Sequence, residues 1–267
     1  MTITGSDLVR TAKGCECRVL AYGPPDGQPV VFFHGAAGLL DDDRFFTGLG
    51  DAGYRILAPE LPGYGSSTGE ALLEDMLDFT LHGWDMVDAL GIDRPVLVGH
   101  GMGGMMAAEM AAVAPGRVAS LVLVAPNGLW DEQNPVPDLF ALLPFQFAPL
   151  LFADEASGAA LLSGGAVDFD DMEALTEFFV GNSRRLGTAG KILFPIPNRR
   201  LSKRLYRVTA PTLLVWGDQD RYLVPAYAAL WREALPAARL QVIEGAAHMV
   251  PHDRPDELVR DVAAFLS

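Results

Sequence analysis

Val96-Leu97-Val98-Gly99-His100-Gly101-Met102-Gly103-Gly104-Met105-Met106 joins two periodicities at a single turn. Residues 95–98 are a short aliphatic run bounded by proline and glycine, which reads as a strand buried on both faces. Residues 102–114 are rich in methionine and alanine, which reads as a helix. The chain must therefore pass from strand to helix almost without a linker, and Gly101 stands at the turn, where its freedom of backbone conformation suits a strained corner.

Working outward, the same alternation recurs. Residues 15–22 and 29–33 are candidate strands flanking the turn-rich Gly23-Pro24-Pro25-Asp26-Gly27 and are expected to pair as an opening hairpin. A strand at 54–58, a helix at 72–90 and a strand at 118–124 follow. The rhythm breaks at Pro126-Asn127-Gly128 and returns at Pro211-Thr212-Leu213-Leu214-Val215-Trp216, then continues as a helix at 225–235, a strand at 240–243 and a helix at 256–265. Such alternation predicts an α/β fold with a mostly parallel sheet and helices on both faces. It divides the chain into a core, residues 1–126 and 211–267, and a helical insert, residues 127–210. The insert is rich in Phe140, Leu143, Phe145, Phe147, Leu151, Phe152, Phe178 and Phe179, a composition suited to a lid over a pocket at the strand ends.

Composition narrows the function. The 267 residues are 50% hydrophobic and carry 34 acidic against 20 basic side chains, a net charge of −14 that repels phosphate backbones and anionic lipid surfaces. Neither nucleic acid nor a membrane is an expected partner. No apolar stretch is long enough to span a bilayer, and the first residues lack a secretory pattern, so a cytoplasmic location is expected. Cys15 and Cys17, two apart on one strand face, read as half-buried strand residues, with neither a disulfide nor a metal site expected. No cofactor or metal motif is visible, and the glycines around Gly101 lack the Lys-Ser/Thr ending of a phosphate loop. Arg184, Arg185, Lys191, Arg199, Arg200, Lys203, Arg204 and Arg207 concentrate basic charge in the insert and read chiefly as a solvated face, or alternatively as a source of one arginine for a substrate carboxylate. Oligomeric state is not legible.

Several segments resemble the α/β-hydrolase superfamily, and together they span the core on both sides of the insert. Phe32-Phe33-His34-Gly35-Ala36-Ala37-Gly38 is similar to its His-Gly loop, and Gly99-His100-Gly101-Met102-Gly103 to its Gly-x-Ser-x-Gly nucleophile elbow with glycine in place of serine. Trp216-Gly217-Asp218-Gln219-Asp220 and Glu244-Gly245-Ala246-Ala247-His248 resemble the acid and histidine loops, and Pro62-Gly63-Tyr64-Gly65-Ser66 another common family segment. The resemblance implies an eight-stranded sheet with the lid inserted after strand 6. It also implies a catalytic pair, Asp220 orienting His248, and an oxyanion hole of the Ala36 and Met102 amides. His34, His100, Asn127, Phe140 and Phe147 are candidate substrate-binding or pocket-lining residues around a hydrophobic small molecule. His82 and His252 lack motif context and read as peripheral.

The glycine leaves three readings open. One is an enzyme without a covalent intermediate, in which His248 activates water against an ester, lactone, thioester or acyl carbon–carbon bond, or abstracts a proton in a lyase or cyclase reaction. The second is a conventional serine esterase or C–C hydrolase whose nucleophile has been replaced. The third is a small-molecule-binding relative without turnover.

Overall fold

Parallel pairing of β3 with β4, β3 with β5, β5 with β6, β6 with β7 and β7 with β8 builds the centre of a twisted sheet. The computed structural model describes residues 5–163, 171–195 and 200–267. Among these, the strands are β1 (Gly5–Arg10), β2 (Glu16–Tyr22), β3 (Gln28–Phe33), β4 (Tyr54–Pro59), β5 (Val96–His100), β6 (Ser120–Val124), β7 (Thr212–Gly217) and β8 (Arg239–Ile243). Their order across the eight-stranded sheet is β1-β2-β4-β3-β5-β6-β7-β8, with β1 and β2 antiparallel at one edge. The helices are α1 (Arg44–Asp51), α2 (Met76–Ala89), α3 (Met102–Val113), α4 (Phe147–Leu151), α5 (Glu155–Leu162), α6 (Met172–Leu193), α7 (Ala226–Ala234), α8 (Val250–Asp253) and α9 (Pro255–Leu266).

The central strands are apolar at nearly every position because both faces are covered. Val96, Val98, Val122, Val124, Leu213 and Val215 face α1 and α9 through Phe45, Leu49, Leu258 and Val262. Their neighbours Leu97, Leu121, Leu123, Leu214 and Trp216 face the other way, into a core shared with α2, α3, α7 and the insert.

The expected hairpin of 15–22 with 29–33 does not form. Instead β2 pairs with β1 and with β4, and β3 lies beyond β4. The burial pattern explains the choice: Val30–Phe33 is buried throughout and needs a central position, whereas β2 alternates buried Cys17 and Val19 with outward Glu16 and Arg18, as suits a strand near an edge. The sequence reading passed over β1, where only Val9 is buried and Leu8 is 62% exposed. Cys15 and Cys17 are fully rather than half buried, and His82, read as peripheral, is buried on α2 with Nε2 3.6 Å from Cys17 Sγ.

The basic run of the insert also departs from the reading as a solvated face. Arg184 Nε donates to Glu70 Oε1 (3.0 Å), Lys191 Nζ donates to the carbonyls of Glu70 (2.7 Å) and Leu73 (2.9 Å), and Arg204 Nε donates to Glu109 Oε2 (2.8 Å). Arg199 lies outside the described residues. These side chains tie the insert to the core, which there presents carboxylates and chain-end carbonyls.

Glu109 is the charged residue of an otherwise apolar, buried α3, and its side chain is 5% exposed. A carboxylate so placed is tolerated only with a counterion. Arg204→Ala is therefore expected to lower unfolding free energy by about 1–3 kcal/mol, less than for a fully buried pair because Arg204 is itself 36% exposed. Urea denaturation checks this, and the added change Glu109→Met should recover most of the loss.

Candidate active site

Each parallel strand from β3 onward, β4 apart, delivers one of the singled-out residues to the same edge of the sheet, at its C-terminal end. The strand order reverses direction between β3 and β5, and there the loops carrying Ala36 and Gly101 diverge to opposite sides, the usual place for a ligand crevice in an open α/β sheet.

Gly101 has φ 54° and ψ −116°, a conformation rarely open to residues with a side chain. The corner is pinned by Gly101 N donating to Val124 O (2.9 Å) and by Asn127 N (3.0 Å) and Met105 N (3.1 Å) donating to Gly101 O. Two residues on, a Cβ at Gly103 would stand 2.1 Å from Phe33 O, so glycine lets α3 begin this close to β3.

His248 Nδ1 donates to Asp220 Oδ2 at 2.9 Å, with the imidazole 5% and the carboxylate 0% exposed. Asp220 Oδ1 in turn accepts from the amides of Tyr222 (2.9 Å) and Leu223 (2.8 Å), which fixes the carboxylate. With Nδ1 donating, Nε2 carries the lone pair and is the basic atom. A Cβ built on Gly101 would lie 3.1 Å from that Nε2 and 3.6 Å from Asn127 Oδ1, and these are the side chains nearest the Gly101 position.

The remaining candidates divide. Met102 heads α3 behind an N-cap with no side chain, and Ala36 follows His-Gly; among the described residues neither amide makes a hydrogen bond. The loop around Ala36 is held by Gly38 N to Gly35 O (3.0 Å), Tyr64 Oη to Ala36 O (3.3 Å) and Arg185 Nη1 to Ala37 O (2.9 Å). His34 donates from Nδ1 to Gly35 O (2.8 Å) and accepts at Nε2 from Leu61 N (3.0 Å), so both nitrogens serve the scaffold and none is left for a substrate. His100 Nε2 donates to His248 O (2.9 Å), bracing the base from behind; burial, reinforced by His248, holds its pKa well below the ordinary value. Phe140 packs on Phe194 with ring centroids 4.9 Å apart, and Phe147 opens α4, packed on the main core.

Three contributors escaped the sequence reading. Tyr222, two residues beyond the acid, stands edge-on to the His248 ring (centroids 4.9 Å, 86°) and accepts from Asn127 Nδ2 (3.0 Å). Asp253 accepts from Ala247 N (2.8 Å) and Ala153 N (3.1 Å), while Met249 N donates to Leu151 O (3.0 Å), so the insert grips the segment that follows His248 at two points. Tyr64 lay in a quoted motif but was given no role. The signal available was adjacency to the acid and histidine loops, since contacts across 95 or 100 residues leave no local pattern.

A cavity of about 300 Å³ adjoins the His-Gly loop, with Gly38, Glu60, Tyr64, Glu177, Phe178 and Arg185 among its lining residues. Burial pulls the pKa of the Arg185 guanidinium down, and among the described residues no carboxylate pairs with it. Among the described residues no group of three His, Cys, Asp or Glu converges as metal ligands, and no helix is long and apolar enough to cross a membrane.

This arrangement is that of an α/β-hydrolase. A family model described as alpha/beta hydrolase fold matches residues 28–255, and the chain belongs to that family. It is 31% identical over 242 residues to a dihydrolipoyllysine-residue acetyltransferase component of an acetoin cleaving system from Cupriavidus necator, covering 86% of this chain but only 61% of that protein. It is 29% identical to a 2-hydroxy-6-oxo-6-phenylhexa-2,4-dienoate hydrolase from Burkholderia cepacia, covering 90% of this chain and 88% of that one. A solved meta-cleavage product hydrolase from Pseudomonas fluorescens superposes with a TM-score of 0.76 at 20% identity, covering 97% of each chain, which shows the shared fold.

Burial lowers the pKa of His34 and of His82 to about 4. Both lie below the value of about 6.5 in an unfolded chain, so between these limits the unfolded chain binds protons that the folded one does not. Their contribution to stability is complete above pH 6.5 and is lost as pH falls toward 4, by up to about 3 kcal/mol for each group. The urea midpoint should therefore drop steeply across that window, and His82→Leu should flatten the drop.

Proposed function

We propose that the protein hydrolyses small acyl compounds by direct attack of water, with no acyl-enzyme intermediate. The observation that carries this reading is the buried Asp220–His248 pair whose basic Nε2 faces the nucleophile position, 3.1 Å from where a Gly101 Cβ would stand. In the proposed reaction His248 takes a proton from water as the water oxygen bonds to the acyl carbon. The amides of Ala36 and Met102 hold the carbonyl oxygen as it gains negative charge, and backbone donors cost little reorganisation when that charge develops. The carbon–leaving-group bond then breaks, its electron pair leaves with the departing group, and His248 returns the proton to that group. Loss of a covalent nucleophile costs several orders of magnitude, so the reading favours an intrinsically reactive substrate, such as an activated ester, a thioester, a lactone or an acyl C–C bond.

The comparisons support a hydrolase in the broad sense, since relatives over most of the chain include hydrolases of oxo-dienoates. Such a substrate carries a carboxylate. Arg185, half-buried beside the Ala36–Ala37 loop, has no acidic ion-pair partner among the described residues, although Glu60 and Glu177 line the same cavity, so the reading adds at most one anionic group on the substrate, met by this guanidinium.

Turnover of p-nitrophenyl acetate is the test. His248→Ala should lower kcat at least about 100-fold, and a serine-directed fluorophosphonate should leave the native chain active. Gly101→Ser, by contrast, should show a burst of nitrophenol and become sensitive to the phosphonate. Inhibition of the native chain by the phosphonate, or turnover indifferent to His248→Ala, would overturn the reading.

A further inference from the structure

A serine hydroxyl is held in place by its own Cβ, whereas a water molecule has no such tether. It also has two protons to place. Beside Gly101 the structure supplies two acceptors, His248 Nε2 and Asn127 Oδ1, which lie 3.1 Å and 3.6 Å from the position of a Gly101 Cβ. We infer that Asn127 is a catalytic residue that fixes the attacking water, its Oδ1 accepting one proton while His248 Nε2 removes the other. This rests on the direct-water reading above.

The geometry argues for a dedicated acceptor. Asn127 is 7% exposed, and among the described residues no donor reaches its Oδ1, which leaves that oxygen open to accept from a molecule in the site. Its far end is anchored, Nδ2 donating to Tyr222 Oη at 3.0 Å while Oδ1 lies toward Gly101. The same Tyr222 packs edge-on against the His248 ring, so one side chain aligns both acceptors. The backbone is equally fixed. Ala125, a residue with a side chain, adopts φ 41°, a strained value that bends the chain after β6 and brings Asn127 beside the elbow. Ala125 N donates to Val215 O (2.9 Å), Pro126 O accepts from Trp231 Nε1 (3.1 Å), and Asn127 N donates to Gly101 O (3.0 Å). With both protons engaged, a lone pair of the water is left to face a carbonyl carbon whose oxygen rests on the Ala36 and Met102 amides. The step consumes one water, and the acyl compound leaves as its acid and the protonated leaving group.

A direct contact between Asn127 and substrate would act on binding, whereas a hold on the water acts on the chemical step. In the full chain with p-nitrophenyl acetate, Asn127→Ala is expected to lower kcat by about tenfold or more with KM changed less than about twofold. Tyr222→Phe, which frees the amide to turn, is expected to give a smaller loss in kcat, about threefold, again with little change in KM. In the Gly101→Ser background the nucleophile is tethered, so Asn127→Ala should slow the nitrophenol burst at least about fivefold less than it slows turnover of the native chain. A change confined to KM, or equal losses in both backgrounds, would overturn the assignment by marking Asn127 as a substrate contact or a structural residue. If Asn127→Ala fails to fold, as judged by its thermal transition, Tyr222→Phe decides on the same kcat-against-KM criterion. Loss of activity in His248→Ala with kcat unaltered in Asn127→Ala would remove the inference and leave the direct-water reading standing. Activity indifferent to His248→Ala would remove both.

Discussion

The close approach of α3 to β3 sets the geometry of everything near the site. A Cβ at Gly103 would fall 2.1 Å from Phe33 O and one at Gly99 2.4 Å from Gly103 O, so the helix can start hard against the sheet only with glycine at both positions. That contact leaves no length for a loop, and the residue between strand and helix takes up the whole change of direction at φ 54° and ψ −116°. The same contact sets the first turn of α3 against the start of the His-Gly loop, since a Cβ at Gly103 would also lie 2.5 Å from His34 O. The corner at Gly101 is thus a consequence of one packing constraint, whereas His248 is aimed separately, by Asp220 and by the contacts of its own loop.

Around this corner the histidines of the site have separate duties. His34 and His100 have their bonding nitrogens engaged by backbone groups and are kept neutral by burial, so they act as polar struts within an apolar wall. His248 differs because its Nδ1 partner is a carboxylate, itself fixed by two amides, and its Nε2 faces the corner. Chemistry here is assigned by hydrogen-bond partners, since three rings of the same type lie within one small region.

Much of this was legible in the sequence. Periodicity gave the alternation of strands and helices, and the resemblance of the His-Gly, elbow, acid and histidine loops to those of α/β-hydrolases pointed to residues that the fold gathers at one edge. The failures share a physical cause. Pairing of β2 with β4 rather than β3 depends on which strand needs both faces covered, and that is settled by the whole sheet. The arginines and lysine of the insert look like solvated charge until Glu70 and Glu109 are brought beneath them from more than 90 residues away. His34 reads as a pocket residue until Leu61 N is seen to occupy its second nitrogen. Tyr222 and Asp253 act by touching segments remote in sequence, so local pattern could not reveal them.

The hydrogen bonds from Met249 N to Leu151 O and from Ala153 N to Asp253, both engaging residues that follow His248 in the chain, join the insert to the loop that aims the base. Lifting α4 from its seat would break the first and strain the second. A displacement of this end of the insert would therefore also loosen the segment that follows His248, so the insert and the seat of the imidazole are mechanically coupled.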